Sequence, residues 1–474
     1  MICYQIFVRS FADSNGDGIG DIKGITSKLD YLSELDIDSI WLTPIYPSPS
    51  YHKYDITDYC AIDPEYGTLD HLHELIEKAH AKNIKIILDL VLNHCSWQHP
   101  WFLAAISSNK NKYRDWFVWD IQKNITTYID QWYSSPLIDD KEFYFAHFWR
   151  GMPDLNYDNT EVRTEVIRIA KFWIDQGVDG FRLDAAKHIF PNEREQENHR
   201  WWREFRSELE KIKPGIYLVG EVADKCKVIA PYLDYALNCC FNFELAENII
   251  QSVNEYKHLH LAPWLVSVYE NYAEDDVRFN DAIFISNHDQ DRFASRFMNN
   301  IRKIKMAVSI LFTLPGDLYI YYGEELGMLG EKPDEYIREP FLWDANDPLM
   351  TNWIEPKYST RLTISSLSDQ KKETSSVFNH YKKLLDFRKS MLNNISYKID
   401  DAEYGSEILA YKIYDKGFSY LLLHNLSRHN MILSPEMNEL SVIYLLNKNA
   451  MPFNRKIKIP AFESVMIQTP LKSG

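Results

Sequence analysis

The sequence predicts an α/β chain: a (β/α)8 TIM barrel, a small subdomain inserted after its third strand, and a C-terminal all-β sandwich domain. Three observations predict it. Eight short apolar, β-branched runs alternate with longer helical patterns. One aromatic-loaded stretch interrupts that rhythm. After Met391 the pattern changes to short alternating runs with turn signals.

The eight runs are Tyr4–Val8, Ser39–Thr43, Ile84–Leu92, Asp179–Asp184, Ile216–Glu221, Asn238–Phe243, Ala282–Asn287 and Leu318–Gly323. Counting alone leaves a doubly wound open sheet as the alternative. Between the runs, Leu69–Lys82 sets Leu69, Leu72, Leu75, Ile76 and Ala79 on one helical face. Glu161–Gln176 does the same with Val162, Val166, Ile169, Ala170 and Trp173, and Gly177 suits a helix C-terminal stop. The interruption runs from Cys95 to about Pro153 and holds Trp97, Trp101, Trp116, Trp119, Trp132 and Trp149. These indoles are expected to form mostly the subdomain's own core. The tail offers strands at Leu409–Tyr414, Ser419–Leu423, Val442–Leu446 and Arg455–Ile459. The expected division is a barrel of residues 1–94 and 154–391, an insertion of 95–153 and a sandwich of 392–474.

Composition narrows the function. Of 474 residues, 45% are hydrophobic and 25% charged, so a large core can be buried. Lys plus Arg is 52 against 68 Asp plus Glu, a balance of −16, which repels phosphate backbones and anionic headgroups. Nucleic acid and membrane are therefore poor partners, and no apolar run approaches the ~20 residues of a membrane span. The start, Met-Ile-Cys-Tyr-Gln-Ile, lacks a secretory n-region, and six scattered cysteines without CxxC fit a cytoplasmic location. Thirteen Trp and 30 Tyr supply faces that suit sugar rings as well as cores.

Barrel chemistry gathers at the C-terminal ends of strands. Those ends read Asp89 through Asn93-His94, Arg182-Leu183-Asp184, Gly220-Glu221 and Asn287-His288-Asp289. One carboxylate after a strand reads as a helix cap. Three, with an Arg and two His at the mouths of one barrel, do not.

A loop after the first strand, Asp13 to Asp21, has oxygen donors at positions one, three, five and nine (Asp13, Asn15, Asp17, Asp21). It adds the Ile19 carbonyl at seven and Gly18 at six, as in the start of a calcium loop. Position twelve is Gly24 rather than Glu, so it is no EF-hand; an Asx/Gly turn cluster is the alternative. A structural Ca2+ is the expectation.

DLVLNH (89–94), GFRLDAAKH (180–188), GEV (220–222) and FISNHD (284–289), with MPDLN (152–156), resemble the ordered signatures of the alpha-amylase family, the family-13 glycoside hydrolases. The resemblance implies a retaining hydrolase of α-1,4-glucosidic bonds in starch-like glucans and maltooligosaccharides. It makes Asp184 the nucleophile, Glu221 the acid/base and Asp289 the third carboxylate. Arg182 orients Asp184, His94 and His288 donate to sugar hydroxyls, and Tyr54 stacks on the sugar beside the scissile bond. Lys187 and His188 grip leaving-side glucose. Calcium occupies the Asp13–Asp21 loop in relatives, and Asn93 matches part of a second site. Exo-acting α-glucosidases carry Asp three residues before Tyr54; Tyr51 stands there, which favours endo-action. Ala185 after the nucleophile matches α-1,4 rather than α-1,6 specificity, where Val is found. The alternatives are an α-glucosidase or transglycosylase on short α-glucosides, and a neopullulanase- or cyclomaltodextrinase-like enzyme, since the motifs mix oligo-1,6-glucosidase-like and neopullulanase-like features. A non-enzymatic transporter heavy chain of the family would lack the carboxylates. The expected partner is an α-glucan; oligomeric state is not readable.

Overall fold

The computed structural model describes all residues except 121–130, 135–141, 274–278, 345, 393–394, 416, 438–440, 447–450, 454–455 and 472–474. In chain order its first strands are β1 (Ile2–Ile6), β2 (Ser39–Leu42), β3 (Lys85–Leu90), β4 (Trp119–Asp120), β5 (Trp132–Ser134) and β6 (Phe143–Phe145). Then follow β7 (Gly180–Leu183), β8 (Tyr217–Gly220), β9 (Cys239–Cys240), β10 (Ala282–Ile283) and β11 (Asp317–Tyr321). Eight of these form one parallel sheet in the order β10-β11-β1-β2-β3-β7-β8-β9. A single parallel bridge, Phe241 to Ala282, joins its two edges, so the sheet closes into a barrel. The open-sheet alternative is thereby excluded.

Every expected run overlaps a barrel strand, the first and last being shifted toward the N-terminus (Ile2–Ile6 and Asp317–Tyr321), but two are far shorter than expected. Asn238–Phe243 yields only Cys239–Cys240, because Asn242 caps the helix Phe243–Glu255 by accepting from Leu245 N. Ala282–Asn287 yields only Ala282–Ile283; past it the chain leaves the ladder to shape the mouth.

Strand alternation sets the barrel's contents. At the floor, Cys3, Trp41, Ile87, Val219, Cys239, Phe241, Ala282, Phe284 and Tyr319 form a closed apolar cluster. Two residues further along the same strands the inward positions become Gln5, Asp89 and Glu221, joined by Arg182. Outward residues such as Ile86, Leu88, Phe181, Leu183 and Leu218 meet the helices. Leu69–His80 is capped by Thr68 and buries Leu72, Leu75, Ile76 and Ala79. Thr160–Asp175 is capped by Asn159, and Gly177 follows its end at φ +101°.

Within the insertion, β4, β6 and β5 form a small antiparallel sheet. Its rings pack on one another: Phe102 stacks on Trp119 at 6.0 Å and meets Tyr144 edge-on at 5.0 Å. Bridges from His94 to Asp154 and from Phe117 to Leu155 tie this segment to the barrel mouth.

After the barrel come β12 (Ile399–Asp401), β13 (Ile408–Tyr414), β14 (Phe418–Asn425), β15 (Met431–Leu433), β16 (Val442–Leu445), β17 (Met451–Phe453), β18 (Lys456–Ile459) and β19 (Ser464–Pro470). They form antiparallel sheets of five strands (β12-β13-β14-β19-β16) and three strands (β15-β18-β17). Ile408, Ala410, Leu421, Leu423, Val465 and Ile467 face Leu433, Ile457 and Ile459 in the sandwich core. The alternate residues Leu409, Tyr411, Ile413, Leu422 and Met466 join the barrel's core instead. Both faces of the large sheet are thus covered. The expected tail strands all occur, although Arg455 lies outside the described residues; β12, β15, β17 and β19 were not foreseen. No helix of the described residues is long and apolar enough to cross a membrane.

Candidate active site

The barrel ladder runs one residue past the strand ends. Asp184 N donates to Leu90 O at 3.2 Å and Glu221 N to Leu183 O at 3.0 Å. This pins both carboxylates where the barrel opens. A side chain at Gly220, before Glu221, would have to push Leu237 aside, since a Cβ there would lie 2.4 Å from its Cδ1. Ala185 after Asp184 sits in the left-handed region at φ +46°, turning the chain sharply out of the strand.

Arg182 organises the centre. It is 1% exposed, and its Nη1 donates to Asp184 Oδ1 at 2.5 Å and Asp89 Oδ1 at 2.8 Å. Its Nη2 donates to Glu221 Oε2 at 2.6 Å. One guanidinium therefore faces three carboxylates, two of them (Asp89 and Asp184) buried. A single positive charge cannot hold all three ionised in so dry a place, so protons are retained near neutrality. Burial pushes Glu221 up to about 7, and the charges of Asp184 and Asp289 add to this against the pull of Arg182. Burial likewise raises Asp89 to about 7 and raises Asp184.

Asp289 belongs to a second group. Arg338 Nη2 donates to its Oδ1 at 2.9 Å, and His288 Nε2 lies 3.1 Å from its Oδ2. Burial alone would raise its carboxyl, but the neighbouring cations, Arg338 and Arg182 among them, outweigh it and hold the group low. Burial drives His288 down to about 3, so its ring is neutral. Gln5 Nε2 donates to its Nδ1 at 2.7 Å, which leaves the proton on Nε2, 2.5 Å from Tyr54 Oη. Tyr54 in turn donates to Asp89 Oδ2 at 2.9 Å. A directional chain, Gln5 to His288 to Tyr54 to Asp89, thus fixes Tyr54, whose ring lies parallel to His288 at 5.4 Å and 9°.

The structure therefore brings together Asp184, Glu221, Asp289, Arg182, Tyr54 and His288. His94 is buried beside them, with Nε2 3.2 Å from Tyr54 O and Nδ1 3.0 Å from Asn93 Oδ1. Lys187 pairs with Asp224 at 2.5 Å, and His188 stacks on His147 of the insertion at 4.0 Å. Asn93 Nδ2 donates to His188 O at 2.6 Å and to Asp154 Oδ2 at 3.3 Å. Sequence reasoning gave no role to Gln5, Asp89 or Arg338. The first two were findable, since each lies two residues above a floor residue (Cys3, Ile87). Arg338 follows the short helix Asp334–Ile337 and carries no local signal.

The Asp13–Asp21 loop lies apart from this cluster in the network of bonds. Asp13 accepts from Gly16 N at 2.7 Å and Gly18 N at 2.7 Å, and Asp21 caps the helix Ile22–Ser27 through Gly24 N at 2.7 Å. Asp17 accepts from Ile19 N at 2.8 Å, and Asn15 from Asp17 N at 2.9 Å. Gly18, at φ +90°, presses on Asn352: a Cβ there would lie 2.0 Å from its Oδ1. Among the described residues no three His, Cys, Asp or Glu side chains converge as a metal site.

Residues 5–397 match the family described as the alpha amylase catalytic domain. The chain is 46% identical to "Alpha-amylase 3" of Dictyoglomus thermophilum, over 99% of this chain and 93% of that protein. It is 36% identical to a 4-alpha-glucanotransferase of Thermotoga neapolitana, over 91% and 97%. A solved structure of an alpha-amylase from H. orenii superposes with a TM-score of 0.91 at 40% identity, covering 99% of both chains. With a matched catalytic domain, this depth of similarity and three carboxylates set round one buried arginine, the chain belongs to the alpha-amylase family of glycosidases.

Proposed function

We propose that the protein hydrolyses α-1,4-glucosidic bonds in starch-like glucans and maltooligosaccharides with retained configuration. The observation that carries this is the Arg182 guanidinium, which contacts Asp184 and Glu221 at once. Such a bridge supports the ~5–5.5 Å separation of a retaining pair rather than the wider gap of an inverting one. Asp184 attacks the anomeric carbon while the Glu221 proton passes to the leaving oxygen, and the glycosidic C–O bond breaks. A water then donates its proton to Glu221 and attacks the same carbon, freeing Asp184. Asp289, kept ionised beside Arg338, stabilises the oxocarbenium-like charge. Tyr54 offers its fixed ring to the sugar, His94 and His288 border it, and Lys187 with His188 holds the leaving side. In this reading residues 1–94 and 154–391 carry the chemistry, 95–153 flank the mouth and 392–474 back the barrel. NMR of the first product from maltoheptaose tests it; a β-anomer sinks the mechanism.

Transfer to a sugar acceptor is the second reading, favoured by the kinship with a 4-alpha-glucanotransferase. Product sizes longer than the substrate would reveal it. We also propose Ca2+ at Asp13, Asn15, Asp17, the Ile19 carbonyl and Asp21, where it would tie the loop to the barrel. A cytoplasmic site of action is supported by six free cysteines, four of them buried; cell fractionation tests it.

A further inference from the structure

Residues 147–149 lay a row of rings across the mouth. His147 stacks on His188 at 4.0 Å, and Phe148 touches His147 at 4.9 Å and His94 at 5.2 Å. On the other flank Trp149 faces Trp97 at 6.4 Å, tilted by 52°. His188 follows the nucleophile's strand, and Trp149 lies two residues on from its partner His147. It is 41% exposed, unlike the buried Trp116 of the same insertion.

This exposure is built in. Met152 N donates to Trp149 O and Trp97 N to Gly151 O, both at 2.9 Å, and Tyr144 Oη donates to Arg150 O at 2.6 Å. Gly151 lies so close under the indole that a Cβ would sit 2.3 Å from Cζ2. Arg150 backs Trp97 with its guanidinium 5.7 Å from the ring centre. The indole is thus held edge-on to its own loop with much of its surface open. Among the described residues its N–H meets no acceptor. A rigid aromatic face with a spare donor suits the C–H face and hydroxyls of a pyranose. Tyr51, which stands where exo-acting relatives carry Asp, accepts from Arg338 Nη1 at 3.0 Å and stacks on Trp353 at 5.3 Å.

We infer that Trp149 is a binding platform for a glucose unit away from the bond that is cut, and that it makes the site select chains. The inference rests on the α-glucan reading above. The test compares α-glucosyl fluoride, which carries one glucose, with maltoheptaose, on wild type, Trp149→Ala and Trp149→Phe. Trp149→Ala lowers kcat/KM for maltoheptaose by ~10-fold, chiefly through KM, and changes the fluoride by less than about twofold. Trp149→Phe, which keeps a ring against Gly151, recovers most of the loss. Equal losses on both substrates, or none on either, overturn the platform alone. A wild type that hydrolyses neither overturns the glucan reading and the platform together.

Discussion

The floor and the mouth of the barrel are built from the same strands two residues apart, yet they obey opposite rules. At the floor, Cys3, Ile87, Val219 and Phe241 are apolar and fully packed. At the mouth, Gln5, Asp89, Arg182 and Glu221 repeat the same inward phase with polar atoms. Burial at the floor contributes stability directly. Burial at the mouth adds little, since the attraction between a desolvated cation and its carboxylates is largely offset by their solvation loss. The mouth cluster is therefore explained by chemistry and not by folding. Substitutions should separate the two ends.

The largest separation is expected at the nucleophile and the acid. Asp184→Asn or Glu221→Gln should lower kcat by at least ~10³-fold with little change in melting temperature. An activity loss that tracks unfolding would erase the distinction. The converse change is Ile87→Ala at the floor, which should cost ~2–5 kcal/mol in denaturant unfolding while the folded fraction keeps its kcat.

Next comes linkage. Wild type should favour maltotriose over isomaltotriose in kcat/KM, with Ala185 shaping a difference of ~1–3 kcal/mol. The backbone at φ +46° adds a complication, because a β-branched side chain is strained there. Ala185→Val should thus lose activity on both sugars as well as shift their ratio; a pure ratio change would mean the turn is relaxed.

A pH series sharpens the comparison further. Glu221 must be protonated to act, so kcat/KM should fall about tenfold per unit above about 7. Glu221→Gln should abolish that limb. Stability has the same sign here. Glu221 and Asp89 at about 7 and Asp154 at about 8 lie above ordinary carboxyls. Their contribution is complete below the ordinary carboxylate range and is lost as pH rises through about 7 to 8. Asp289, held low, behaves oppositely and loses its contribution on acidification. Calorimetry should find the melting temperature falling between about pH 5 and 8 and levelling off above that; a rise over this range would contradict these assignments. The smallest effect concerns the Asp13–Asp21 loop. EDTA should lower the melting temperature by ~2–4 °C and leave Asp17→Ala unaffected, with kcat unchanged in both.

Much of this was legible in the residues, for identifiable reasons. Long, strongly periodic elements such as Leu69–His80 declare themselves, and carboxylates at strand ends stand out against apolar runs. Three-residue strands such as Ile399–Asp401 and Met431–Leu433 offer too few positions for a period of two to register. Ser464–Pro470 hides because both its faces are covered, one by the sandwich and one by the barrel, so it shows no alternation. At the site, Arg338 reaches Asp289 from 49 residues away in sequence, a contact that only the closed fold creates.

The single Phe241–Ala282 bridge that closes the barrel has a kinetic side. Its flanking strands, Cys239–Cys240 and Ala282–Ile283, have two residues each, and Asn242 N to Ala282 O at 3.1 Å is the bond that reinforces them. Local opening is easiest where backbone pairing is thinnest. This clasp joins the neighbour of the strand that ends at Glu221 to the strand that leads to Asp289. Amide hydrogens of residues 241 and 242 should exchange faster than those of Leu88 or Leu183, and each release would let the proton donor and the third carboxylate drift apart. The spacing that chemistry needs is thereby guarded at its least defended seam, by the aromatic contacts of Phe241 with Trp41 at 5.4 Å and Tyr319 at 4.9 Å more than by the ladder itself.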